Sequence, residues 1–149
     1  MREIKFRGKQ LDNGEWVYGS LIVLTTGYYI VPTDTYYNTI DVDLGEKITI
    51  NALWEHNDFY EVIPETVGQY IGLHDKNGRE IYEGDILIQS FIDENGATNS
   101  SRPLVVKYIE SQFVAEDIIS GRLFGLWKEI NYDIIGNMYS NPELLKESD

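Results

Sequence analysis

Apolar and polar residues alternate in short segments along most of this 149-residue chain, and turn-forming residues separate the segments. Near the N-terminus Ile4 and Phe6 alternate with charged residues, and this period of two is typical of a half-buried strand. Asp12-Asn13-Gly14 then predicts a tight hairpin turn, because Asn and Gly tolerate positive φ. Residues 15–24 supply the returning strand.

Further strands are predicted at residues 28–31, 47–50 and 59–63, where apolar or alternating runs end at proline or at polar residues. The polar and acidic residues 33–46 predict a loop or an irregular edge strand. Residues 52–55 are too short to assign and fit one helical turn.

Two sharp turns fall close together in residues 69–88. The first is the turn that starts at Asp75 and ends at Gly78, and the second is the corner Glu83-Gly84-Asp85. Two strands and a sharp corner in so few residues indicate a small, strongly bent barrel.

The C-terminal third continues the pattern of strands and turns. Residues 93–102 are polar and rich in turn formers, which predicts a mobile surface loop. Apolar runs on both sides of Glu110-Ser111 predict a hairpin, whereas residues 123–130 fit either a strand or a short helix. A strand at 132–135 and a short helix capped by Asn141 complete the chain, so the predicted fold class is all-β.

Three stretches of the chain are distinctive in content and order. They are MREIKFRGK at residues 1–9, QYIGLHDKNGREIYEGDI at 69–86 and IGNMYSNPELL at 135–145. Together they resemble the YopX family of phage and prophage proteins. The resemblance implies an N-terminal β region over residues 1–65, a small SH3-like β-barrel roll over residues 66–149, and a source in a bacterial phage or prophage. It implies no enzymatic activity and transfers no functional residue.

The net charge of the chain argues against one class of function and suggests another. The chain has 12 Lys and Arg against 25 Asp and Glu, for a net charge of −13, which argues against general nucleic-acid binding. Residues 31–65 contain one positive and eight negative side chains, for a net charge of −7. Such a segment is either a solubilising surface or a patch that attracts a basic protein partner, in a stronger version by mimicking the charge of DNA.

Two tyrosines indicate which residues of the acidic segment would contact a protein partner. Tyr36 and Tyr37 lie inside the acidic segment, and aromatic side chains dominate protein-binding hot spots, although packing at a barrel edge explains them equally well. We therefore predict a non-catalytic, acidic protein-binding module with Tyr36, Tyr37, Asp41 and Asp43 as contact residues. Edge strands and abundant tyrosine also predict self-association, at least to a dimer.

Catalytic and metal chemistry has few candidates. There is no cysteine, and the two histidines, His56 and His74, lack the spacing of a metal site, so neither a metal nor a cofactor is expected. Glu83 and Asp85 are the best pair of acids, yet a charged corner explains them more simply. Two alternatives stay open: a small hydrolase that uses Glu83, Asp85 or His56, and nucleic-acid binding through Lys5, Arg7 and Lys9 on one face of the first strand.

The location follows from two sequence features. The first residues alternate polar with apolar side chains instead of forming a secretory signal, and the longest apolar runs are too short to span a bilayer. The sequence therefore predicts a cytoplasmic protein with no membrane partner.

Overall fold

The computed structural model describes residues 2–32 and 59–146. The residues 33–58, which include the predicted strand at 47–50, lie outside the described part. The chain divides into two compact units, Ile4–Val67 and Gly68–Asp149, and the second unit also includes Met1–Glu3. Antiparallel sheets make up the fold, one of them curled into a half-barrel, and the prediction of an all-β fold is confirmed.

The described regular elements are twelve strands and two short 3-10 helices. The strands are β1 (Phe6–Lys9), β2 (Trp16–Leu24), β3 (Gly27–Pro32), β4 (Tyr60–Val62), β5 (Gly68–His74), β6 (Glu80–Tyr82), β7 (Asp85–Ile92), β8 (Thr98–Ser100), β9 (Leu104–Ile109), β10 (Gln112–Asp117), β11 (Leu123–Gly125) and β12 (Asn131–Asn137). The helices span Pro64–Thr66 and Pro142–Leu145.

In the first unit the strands pair in the order β4-β3-β2-β1, all antiparallel. Strand β4 also bonds to the end of β1, because Leu11 N–H donates to the Glu61 carbonyl at 2.9 Å and Ile63 N–H donates to the Lys9 carbonyl at 2.8 Å. Both edges of β4 are therefore paired, and the four strands close on themselves around a small core.

That core consists of Val17, Ile30 and Val62, with Phe6 and Leu21 among the partly buried residues packed against it. The alternation of β2 explains the contribution of Val17, since its neighbours Trp16 and Tyr18 point to the other face. Ile4 does not join this core: it is 60% exposed, so the alternation predicted from Ile4 holds only from Phe6 onward.

In the second unit the main sheet has the order β11-β10-β9-β7-β12, with β8 paired to β7 beside this path. Strands β5 and β6 of this unit also pair with each other as an antiparallel hairpin. The core contains Ile81 of the hairpin and Leu87, Val106 and Tyr132 of the sheet, all of them buried. These residues are brought together by antiparallel pairing of segments that are far apart in sequence.

Several predicted turns are confirmed. Asn13 accepts a hydrogen bond from the Glu15 N–H at 2.9 Å, and Gly14 has a φ of 70° in the turn between β1 and β2. Glu110 and Ser111 form the two-residue loop between β9 and β10, with φ values of 50° and 66°. A two-residue loop with positive φ at both positions is a type I′ turn, which favours Asn followed by Gly.

This turn allows a test of local strain. Replacing Glu110 by Asn and Ser111 by Gly together is expected to raise the free energy of unfolding by about 1 kcal/mol, because residues other than Gly and Asn resist the left-handed region. Chemical denaturation measures the change. The control is Glu94→Asn, at a turn position without positive φ. A double variant that is no more stable than this control would contradict the interpretation.

Two expectations at loops need correction. The loop predicted at residues 93–102 contains strand β8, because the Asp93 carboxylate accepts hydrogen bonds from the Asn95 and Ala97 N–H groups at 2.9 Å and closes a β7–β8 hairpin. The helix at Pro142 forms, but Asn141 does not cap it with its side chain. The Asn141 side-chain oxygen instead accepts a hydrogen bond from the Asn137 N–H at 3.2 Å.

For residues 123–130 the sequence left a strand and a short helix open, and the structure has a strand at Leu123–Gly125.

Candidate functional site

The Asp75 turn in the distinctive segment 69–86 is organised by one buried carboxylate. Asp75 Oδ1 accepts hydrogen bonds from the Asn77 and Arg79 N–H groups, each at 2.9 Å, and Gly78 closes the turn with a φ of 81°. Arg79 Nη2 lies 2.8 Å from Asp75 Oδ2 in an ion pair. The prediction of a turn from Asp75 to Gly78 is therefore confirmed.

The same turn also bonds to β12, which lies at one end of the sheet order. Lys76 N–H donates to the Tyr132 carbonyl at 2.8 Å, and Ile134 N–H donates to Asp75 Oδ2 at 3.3 Å. Arg79 Nη2 donates to the Ile134 carbonyl at 2.7 Å. The turn thus satisfies the backbone groups of β12 that face away from β7, in the way a neighbouring strand would.

The pKa of Asp75 reflects this arrangement. Burial raises the pKa, but the hydrogen bonds from the Arg79, Ile134 and Asn77 N–H groups and from the Arg79 side chain outweigh burial, so the pKa lies below its ordinary value of 3.8. The ionised form is the one that the fold stabilises. Asp75 therefore acts as a structural acceptor in the fold.

The corner Glu83-Gly84-Asp85 has a comparable structural role. Asp85 is buried and accepts a hydrogen bond from the Tyr82 N–H at 2.8 Å, while a Glu83 side-chain oxygen accepts one from the Gln69 N–H at 2.9 Å. Gly84 takes a φ of 88°, and its N–H donates to the Val106 carbonyl at 2.8 Å. The two candidate acids thus hold backbone groups of their own unit.

Glu83 allows a prediction about pH. Burial raises the pKa of Glu83 above 4.5, although the Gln69 N–H opposes the shift. The folded pKa of Glu83 exceeds its unfolded pKa. The protein therefore loses stability as pH rises from the unfolded pKa through the folded pKa and Glu83 becomes ionised. Glu83→Gln is therefore expected to gain stability relative to the native protein as pH rises above 4.5, as measured by denaturation at each pH. A matched loss of charge at exposed Glu129 should not show this trend, and an identical profile for both variants would contradict it.

The four predicted contact residues, Tyr36, Tyr37, Asp41 and Asp43, lie outside the described residues, as does His56. His74 is described: it is exposed at the end of β5, and its Nδ1 lies 3.4 Å from the Tyr70 hydroxyl. Its predicted position at the start of a turn is confirmed.

The basic residues of the first strand do not share one exposed face. Arg7 is buried, and its guanidinium carbon lies 4.8 Å from the centre of the Trp16 ring, in the geometry of a cation–π contact. Lys5 and Lys9 are partly exposed. Arg7 is thus used within the protein, which the alternation of charges in the sequence did not indicate.

An open groove lies where the end of β1 meets the start of β4. It has a volume of about 310 Å³, and the described residues that line it are Gln10, Leu11, Asp12, Phe59, Tyr60 and Glu61. Leu11 and Tyr60 are 57% and 41% exposed. The sequence did not predict that Gln10, Leu11 and Asp12 line a groove, because their local pattern is that of an ordinary hairpin turn. The proximity of Leu11 to Glu61 across 50 residues could not be seen from local patterns.

Among the described residues no group of three or more His, Cys, Asp and Glu side chains is arranged to hold a metal ion. Over residues 2–32 and 59–146 no helix has the length and apolar character needed to cross a membrane.

Comparisons with known proteins place the chain. It resembles the crystal structure of protein EF1440 from Enterococcus faecalis with 23% sequence identity and a TM-score of 0.54, over 98% of this chain and 100% of that one, which is a likeness of fold. No curated protein is significantly similar. The family model described as YopX protein matches residues 5–146, nearly the whole chain, so the protein belongs to the YopX family.

Proposed function

We propose that this protein is a non-catalytic phage or prophage accessory protein that binds a basic protein partner in the cytoplasm of the bacterial host. The observation that carries the proposal is the net charge of −7 in residues 31–65. Self-association to at least a dimer is part of the same proposal.

The described end of the acidic segment supports it. Glu61 and Glu65 are both exposed, and neither forms an ion pair within the part of the chain that the structure describes. By contrast, Asp75 and Asp85 are buried acceptors of backbone hydrogen bonds. The exposed acids of the first unit are therefore available to a partner, whereas those of the distinctive segment are used by the fold.

The first step of the test is affinity purification from the bacterial host followed by mass spectrometry. Once the partner has been purified, replacing Asp41 and Asp43 by Asn is expected to lower the association rate by about tenfold at low salt. The association rate of this variant should also depend less on salt concentration than that of the native protein. Replacing Tyr36 and Tyr37 by Ala should mainly hasten dissociation, because aromatic anchors act on the bound state. Binding kinetics at several salt concentrations measure both effects.

The matched control removes the same charge from exposed Glu94 and Glu129 of the second unit by substitution with Gln. This control should leave the association rate nearly unchanged. If the purification yields only DNA or RNA, the proposal is wrong and nucleic-acid binding replaces it.

A further inference from the structure

We infer that the groove between the end of β1 and the start of β4 receives an arginine or lysine side chain of the partner, flanked by apolar residues. This inference rests on the proposed function and names the chemistry that the partner presents.

The walls of the groove are held by the backbone. Leu11 N–H donates to the Glu61 carbonyl at 2.9 Å, and Gln10 N–H donates to the Glu15 carbonyl at 2.8 Å. On the other wall the Phe59 ring contacts the Tyr29 ring edge-on, with centroids 5.4 Å apart. Because these contacts exist in the free protein, a ligand would meet a preformed surface and lose less free energy to ordering it.

The chemistry of the groove is acidic and apolar at once. Asp12 and Glu61 are exposed, and neither carboxylate forms an ion pair with any described residue. Leu11 and Tyr60 add exposed apolar and aromatic surface beside them. A long basic side chain matches both features, because its methylene groups pack on apolar surface while its charged end meets carboxylates or an aromatic ring. A phosphate or a carboxylate ligand would be repelled.

The probe is the peptide acetyl-Gly-Leu-Arg-Leu-Gly-amide, titrated into the intact, isotope-labelled protein and followed by the backbone amide signals. Saturable shifts are expected at Leu11, Asp12, Tyr60 and Glu61. The same peptide with neutral citrulline in place of arginine should bind the native protein about fivefold more weakly. The arginine peptide should likewise bind the double variant Asp12→Asn, Glu61→Gln about fivefold more weakly than it binds the native protein. The variant in which Glu94 and Glu129 become Gln should bind like the native protein.

Three results would overturn the inference. The first is the absence of saturable shifts at the groove, and the second is equal binding of the arginine and citrulline peptides. The third is a purified partner that binds the double variant as tightly as the control variant. In this third case the proposed function survives if the Asp41 and Asp43 variant still slows association, so the two failures are distinguishable.

Discussion

Replacing Asp75 by alanine is expected to lower the free energy of unfolding by about 3 kcal/mol, since charged hydrogen bonds to buried groups are among the most costly to remove. The substitution leaves the N–H groups of Asn77, Arg79 and Ile134 without their acceptor. Asp75→Asn should lower the free energy of unfolding by less than Asp75→Ala does, because the amide oxygen still accepts hydrogen bonds. Some loss should remain, because the NH₂ group of the asparagine would face the donors of the Arg79 side chain. Chemical denaturation measures the loss.

The chain contains a matched control for this prediction. Asp93 starts a turn with the same Asp-x-Asn-Gly pattern and accepts hydrogen bonds from the Asn95 and Ala97 N–H groups. The hydrogen-bond partners of Asp93 among the described residues all lie within six residues of it, whereas Asp75 also bonds to Ile134, 59 residues away. Asp93→Ala should therefore destabilise the protein less, and hydrogen exchange at Ile134 should accelerate only in the Asp75 variant. Equal losses would show that Asp75 acts only within its own turn.

Replacing Gly19 by alanine is expected to destabilise the first unit by about 3 kcal/mol or to prevent its folding. A Cβ at this position would overlap the carbonyl oxygen of Val31 and lie 2.9 Å from the Pro32 Cα. Both are backbone atoms of β3, which pairs with β2 at this point, so relief requires the strands to separate. Denaturation and amide exchange in β2 and β3 measure the effect.

Ser20→Ala is the control for this variant, because Ser20 is the next residue along β2 and is exposed. It should change stability by less than about 0.5 kcal/mol, as is usual for surface substitutions. A Gly19 variant as stable as the Ser20 variant would mean that the close approach of β2 and β3 at this residue is not required by the fold.

The sequence by itself determined the features that depend on neighbouring residues. The turns at Asn13-Gly14, at Asp75 and at Glu110-Ser111 were predicted because turn chemistry acts over two to four residues. Strands β3 and β4 were predicted from apolar runs ended by proline. The all-β class followed from these local signals, and the motifs pointed to the YopX family.

Only the tertiary structure decided what those elements do together. The bond from Ile134 to Asp75, the burial of Arg7 against Trp16 and the meeting of Leu11 with Glu61 all depend on strand register. Register joins residues far apart in the chain, and a local pattern of polar and apolar residues does not encode which strand becomes the neighbour. For this reason Glu83 and Asp85 stayed catalytic candidates beside the simpler explanation of a charged corner, whereas in the fold both accept hydrogen bonds from backbone N–H groups.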